Sequence, residues 1–118
     1  MRPSPPDHDT VRALAHAALD KKAEALVVLD LQGLSSVADY FLLCSARSAA
    51  QIDTIADAVH AALKARGTRL RHREGTAASG WLLLDCGDVV VHVFLAETRA
   101  FYALERLWGD APEVSVEG

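Results

Sequence analysis

The chain has 118 residues, of which 51% are hydrophobic and 24% charged, and its net charge is −4 at pH 7. This length suits one domain with a core that needs neither disulfides nor metal in order to fold. No apolar run approaches the roughly 20 residues of a membrane-spanning helix. A protein that binds nucleic acid through phosphates alone is normally basic, so the acidic charge favours a basic protein partner instead.

The termini differ in composition from the middle of the chain. The first residues carry three prolines and no apolar segment of the kind that secretory signals contain, so we expect a cytoplasmic protein. We predict a flexible tail over 1–8, one domain over 9–110 and a second flexible tail over 111–118. Cys44 and Cys86 lie inside apolar runs, which predicts buried, reduced thiols.

Apolar spacing predicts the elements of the first half. Asp9 or Thr10 can cap a helix whose apolar face covers 11–18, at helical spacing. The continuous apolar run over 24–31 predicts a strand that is covered on both faces, and 40–45 is predicted to be a second apolar strand. We therefore expect a helix followed by two apolar strands.

A long helix follows, and then a region rich in strands. Ser48 and Gln51 have the spacing of a capping box, and Gly67 suits the end of the helix. Alternation predicts a strand over 68–73, and a loop follows it. The next strands are predicted over 81–86 and 88–95 and form a hairpin.

The last predicted helix begins at Glu97. The complete order predicts a single α/β domain with a mixed five-stranded β-sheet and flanking helices.

Three arginines, Arg69, Arg71 and Arg73, would share one face of the predicted strand over 68–73. Three like charges cannot all be buried. They could contact phosphate or an acidic partner, or they could keep an exposed strand from pairing at its edge. The second interpretation is favoured.

Motifs for catalysis are missing from the sequence. It has no phosphate-binding glycine loop, and its five histidines have no metal-ligand spacing. Four aspartates near predicted turns, Asp30, Asp39, Asp85 and Asp88, suit turn formation better than Mg²⁺ binding. We predict no catalytic residue, metal or cofactor, with a nucleotidyltransferase-like enzyme that uses Mg²⁺ and nucleotide as the alternative.

One face of the C-terminal block mixes aromatic side chains with carboxylates, as interface hot spots do. The predicted contact residues are Trp81, Asp85, His92, Phe94, Tyr102 and Glu105. The alternative is that Trp81 and Phe94 simply pack as core beneath the last helix. From the residues alone, the two interpretations are about equal.

Several ordered motifs then carry a resemblance to a known family. They cover 30–36 (DLQGLSS), 39–41 (DYF), 55–57 (IAD), 87–94 (GDVVVHVF) and 99–108 (RAFYALERLW). Together they resemble the signatures of the RsfS/Iojap family of ribosomal silencing factors over nearly the whole chain. Ala46 departs from the pattern, because relatives often have glycine before the serine that starts the long helix.

The resemblance implies a fold related to nucleotidyltransferases but without their catalysis. It also implies that the predicted contact residues bind ribosomal protein L14 on the large ribosomal subunit, where they would block association with the small subunit. Translation would then be repressed when nutrients are short. No membrane and no specific nucleic acid is implied, although contact with ribosomal RNA and pairing of the same face in a homodimer both stay open.

Overall fold

The computed structural model describes residues 6–34, 36, 38–98 and 111–114. The last predicted helix begins within this part, at 96–98, and its remainder lies outside the described residues. The elements are α1 (Pro6–Asp20), β1 (Glu24–Asp30), β2 (Tyr40–Ala46), α2 (Ala49–Ala65), β3 (His72–Thr76), β4 (Trp81–Asp85) and β5 (Val89–Leu95).

In the described part of the chain the strands form one mixed sheet of five strands, in the order β1-β2-β5-β4-β3. Strands β2 and β5 are parallel, whereas every other neighbouring pair is antiparallel. The predicted mixed α/β sheet is therefore confirmed. Because β2 and β5 lie at its centre, both are almost completely buried, which explains their continuous apolar sequences.

Helices α1 and α2 pack against each other and against one face of the sheet. The predicted apolar stripe of α1 is buried from Val11 to Ala18, and α2 buries five residues at helical spacing from Ile52 to Leu63. Cys44 and Cys86 are free thiols in this core, as predicted, and burial raises the pKa of Cys86 to about 12. We call this side of the sheet the helix face.

Gln51 fixes the start of α2 and the turn that follows α1. The hydroxyl of Ser48 accepts a hydrogen bond from the Gln51 amide at 3.1 Å, so the predicted cap is confirmed. The Gln51 side chain then donates to the carbonyl oxygens of Lys21 and Lys22, both at 3.1 Å, and accepts from the Arg47 amide at 2.7 Å. The Gln51 side chain therefore links the turn after α1 and the residue that follows β2 to the start of α2.

Three predicted boundaries were wrong. Helix α1 begins at Pro6 and not after a cap at Asp9 or Thr10, since proline is well tolerated in the first helical turn. Strand β3 begins at His72 instead of residue 68, because its partner is β4 and the turn before β4 sets their register. The predicted C-terminal tail is also not loose throughout, because the Val114 amide donates to Val28 at 2.8 Å beside a bridge to β1.

No helix within the described residues is both long and apolar enough to cross a membrane.

Candidate functional site

The face of the sheet opposite the helices holds the predicted contact residues of β4 and β5. Register places Trp81 opposite Phe94, Leu83 opposite His92, and Asp85 opposite Val90. Directly opposed residues in antiparallel strands point to the same side. The four of the six predicted residues that are described therefore share one face, as the alternation predicted. We call this side the open face, since neither α1 nor α2 packs on it.

Four rings lie together on the open face, and we call them the aromatic cluster: Phe41, Trp81, His92 and Phe94. Trp81 stacks on Phe94 with centroids 5.2 Å apart and an interplanar angle of 24°. Phe41 meets His92 at 4.7 Å and 60°. Such aromatic pairs are worth about 0.5–1.5 kcal/mol beyond the area that they bury. The cluster therefore fixes the orientation of Trp81.

His92 is held as a neutral ring within this cluster. Trp81 Nε1–H donates a hydrogen bond to His92 Nδ1 at 3.2 Å, so Nδ1 is the acceptor and the ring proton lies on Nε2. Burial lowers the pKa of His92 from 6.5 to about 4. Within the described part of the chain, Nε2 is buried and has no hydrogen-bond partner.

Exposure divides the predicted contact residues into two groups. Phe94 is 0% exposed and His92 only 3%, whereas Trp81 and Asp85 are partly exposed. Phe94 and His92 therefore lie behind Trp81 and not at the surface, which differs from the expectation of direct contact. Phe94 belongs to a buried cluster with Leu31 and Leu43, and the partly buried Trp81 and Ala111 pack against this cluster.

The aspartates of the predicted turns act on the backbone. Asp85 Oδ1 accepts from the Gly87 amide at 2.9 Å, and Asp30 Oδ1 accepts from the Gln32 amide at 2.9 Å. The predicted turn-forming role is confirmed for these two of the four aspartates. Among the described residues, no group of three or more His, Cys, Asp or Glu side chains is arranged as metal ligands would be.

A recess of about 330 Å³ opens beside Trp81, between β3 and β4. Glu74, Gly75, Ser79 and Leu83 line it together with the indole. Glu74 pairs with Leu83 in the sheet, so its carboxylate lies on the open face, near Trp81. An aromatic wall beside an exposed carboxylate suits the side chain of a lysine or arginine.

Comparison with known proteins gives the family. The family described as "Ribosomal silencing factor during starvation" matches residues 4–118. The chain belongs to the ribosomal silencing factor family. The resemblance that the sequence motifs indicated is thereby confirmed.

Relatives in the silencing-factor family match over most of their length. "Ribosomal silencing factor RsfS" of Halalkalibacterium halodurans is 42% identical over 112 residues, which are 95% of this chain and 96% of that protein. The protein of the same name from Bacillus subtilis is 44% identical over 86% of each chain. A crystal structure of a protein from Chromobacterium violaceum superposes with a TM-score of 0.83 at 32% identity, over 86% of this chain and 85% of that one.

Two members of the site in this silencing-factor fold escaped the sequence reasoning. The sequence predicts Phe41 only as part of an apolar strand, although its period-2 spacing with Leu43 places both residues on the open face. Glu74 falls in the predicted loop after residue 73, whereas in the structure it lies in β3. Tyr102 and Glu105, the other predicted contact residues, lie outside the described residues.

Proposed function

We propose that the protein binds the large ribosomal subunit in the cytoplasm, through ribosomal protein L14, and prevents the small subunit from joining. Translation would then be repressed when nutrients are limiting. The observation that carries this proposal is the family match over residues 4–118, together with the words "ribosomal silencing factor" in the names of its relatives. The mechanism is steric, so it requires no catalytic residue.

The open face has the chemistry that such a contact needs. Trp81 is partly exposed, and its ring is already held by the stack on Phe94 and the hydrogen bond to His92. Little side-chain freedom is then lost when a partner covers the indole, which favours tight binding. Buried tryptophans near the centre of an interface are frequent hot spots.

Charge supports a basic partner at the same place. On the open face, Glu74 lies in the same cross-strand row as Leu83 and His92, and Asp85 lies in the next row on that face. We expect the recess beside Trp81 to receive a lysine or arginine of L14, with its methylenes against the indole and its charge near Glu74. An interface of standard size, about 1,600 Å² in total, suffices for specific binding.

Sedimentation with purified subunits tests the proposal. The protein should migrate with large subunits at near-physiological salt and should reduce the formation of joined ribosomes when small subunits are added. At the same concentration, Trp81→Ala should neither migrate with large subunits nor reduce the formation of joined ribosomes. Leu19→Ala, which changes an exposed apolar residue of α1 on the helix face, is the control and should retain both activities. Absence of co-migration would reject the proposal.

A further inference from the structure

Positive charge is concentrated on a surface that the proposed contact does not use. Five of the 12 Lys and Arg residues lie within 64–73, and 58–73 contains no acidic residue. This is unusual in a chain whose net charge is −4. All five are exposed, and four of them form what we call the basic patch: Lys64, Arg66, Arg69 and Arg71.

The end of α2 and the following turn bring two members of the basic patch, Lys64 and Arg69, together. The Gly67 amide donates to the Lys64 carbonyl at 2.9 Å, and Thr68 donates to Leu63 at 3.2 Å, so the chain folds back at once. Lys64 and Arg69 consequently line the same recess, which measures about 470 Å³. The Arg71 amide then donates to the Asp85 carbonyl at 2.9 Å and fixes the end of the segment on the sheet.

Two structural explanations account for only part of this charge. Cations near a helix C-terminus stabilise the helix, which suits Lys64 and Arg66. Charge on an edge strand prevents aberrant pairing, but Arg69 and Arg71 precede β3 and only Arg73 lies in it.

Ion pairing separates Arg73 from the basic patch as well. Arg73 Nη2 lies 3.6 Å from Asp53 Oδ1 on α2, whereas none of the four patch residues forms an ion pair with a described residue. Asp57 lines a smaller recess together with Lys64. Arg69 and Arg71 therefore lack a structural explanation.

Strand β3 separates the two kinds of charge. Arg73 pairs with Leu84, whose side chain belongs to the core of the helix face, while Glu74 pairs with Leu83 on the open face. The acidic groups thus accompany Trp81, and the basic patch continues from α2 on the other side. Two surfaces of opposite sign imply two partners of different chemistry.

We propose that the basic patch binds the phosphate backbone of RNA, separately from the contact on the open face. Three of its four members are arginine, whose planar guanidinium binds phosphate oxygens in a bidentate manner. An acidic peptide fits less well, because specific peptide interfaces use apolar anchors. Leu70, the one large apolar side chain among residues 64–71, is partly buried against the core.

Titration of a fluorescent oligouridylate at several salt concentrations tests this assignment. Four phosphate contacts predict a slope of about −2.8 for log K against log salt on a single strand, which is a loss of about 50-fold for a fourfold rise in salt. Arg69→Gln/Arg71→Gln should halve the slope to about −1.4 and weaken binding about 25-fold near 0.1 M salt. Both side chains are exposed, so the fold should be retained.

Lys21→Gln/Lys22→Gln is the matched control, because it removes the same charge at the other end of α2. Both lysines are exposed, and their carbonyls contact Gln51 in the first turn of that helix, which places them about 25 Å from the patch along 17 residues. This control should bind RNA within about twofold of the unchanged chain.

Equal binding by the two variants, or no binding of RNA by the unchanged chain at low salt, would overturn the proposal. Displacement of the RNA by polyglutamate at equal charge would instead identify an acidic peptide as the partner. The titration contains neither ribosomes nor L14, so its outcome is independent of the proposed function.

Discussion

Acid should destabilise this protein through protonation of His92. The pKa of His92 is lowered from 6.5 to about 4 by burial, so the folded state binds fewer protons than the unfolded state between these values. The contribution of neutral His92 to the free energy of unfolding is therefore fully present above about pH 6.5, and it is lost as the pH decreases towards about 4. The shift corresponds to about 3 kcal/mol in total, of which about 2 kcal/mol is lost by pH 5.

Urea unfolding near pH 7.5 and pH 5 measures this loss. With the denaturant dependence usual for a small domain, 2 kcal/mol corresponds to a midpoint lower by about 1 M. His92→Asn keeps an acceptor near Trp81 but cannot be protonated, so its midpoint should change much less between the two conditions. A direct check is the ring-proton resonance of His92, which should not titrate above about pH 5.

Equal pH dependence in His92→Asn and the unchanged chain would refute the reasoning, since other groups would then cause the loss. A normal titration of the His92 ring near 6.5 would refute it independently.

Three further changes test single features of the fold and the site. Gly75→Ala places a Cβ against the Trp81 carbonyl, at a residue whose φ is +83°. It should lower the free energy of unfolding by at least about 1 kcal/mol more than Gly33→Ala does, because Gly33 has a similar φ of +82° but open space around it. Gln51→Ala removes three hydrogen bonds and should lower the free energy of unfolding by about 1–2 kcal/mol. Thr54→Ala, on the exposed side of α2, should lower it by only a few tenths of a kcal/mol, and equal losses in the two variants would contradict the bridging role of Gln51. Trp81→Phe should retain the stack on Phe94 but leave His92 Nδ1 without its donor, which costs about 1–3 kcal/mol, and an unchanged thermal midpoint would show that this bond is unimportant.

The sequence was a good guide wherever burial decides the structure. The apolar stripes of α1 and α2 and the continuous runs of β2 and β5 were placed correctly because these residues have to leave water. The grouping of Trp81 with the open-face residues of β5 also followed from simple alternation. Local capping chemistry was equally informative, as Ser48 and Gln51 demonstrate.

Prediction failed where partners distant in sequence decide the structure. Strand β3 has no buried residue, so its position depends on its register with β4 and not on its own pattern. Burial of Phe94 depends on side chains distant in sequence, such as Leu31 and Ala111, which pack in the same cluster and which alternation cannot identify. The same applies to the Arg69 and Arg71 segment, whose alternation suggested a strand although it forms the connection into β3.

The most direct test of the central claim is calorimetric titration of purified L14 with the unchanged chain and with Trp81→Ala. If Trp81 anchors the contact, its truncation should weaken binding by at least about 2 kcal/mol, or roughly 30-fold. Leu19→Ala should leave the affinity unchanged, and circular dichroism at the titration temperature should show that both variants are folded. Equal affinity of folded Trp81→Ala and the unchanged chain, or no heat of binding with either, would contradict the proposed docking of the open face on L14.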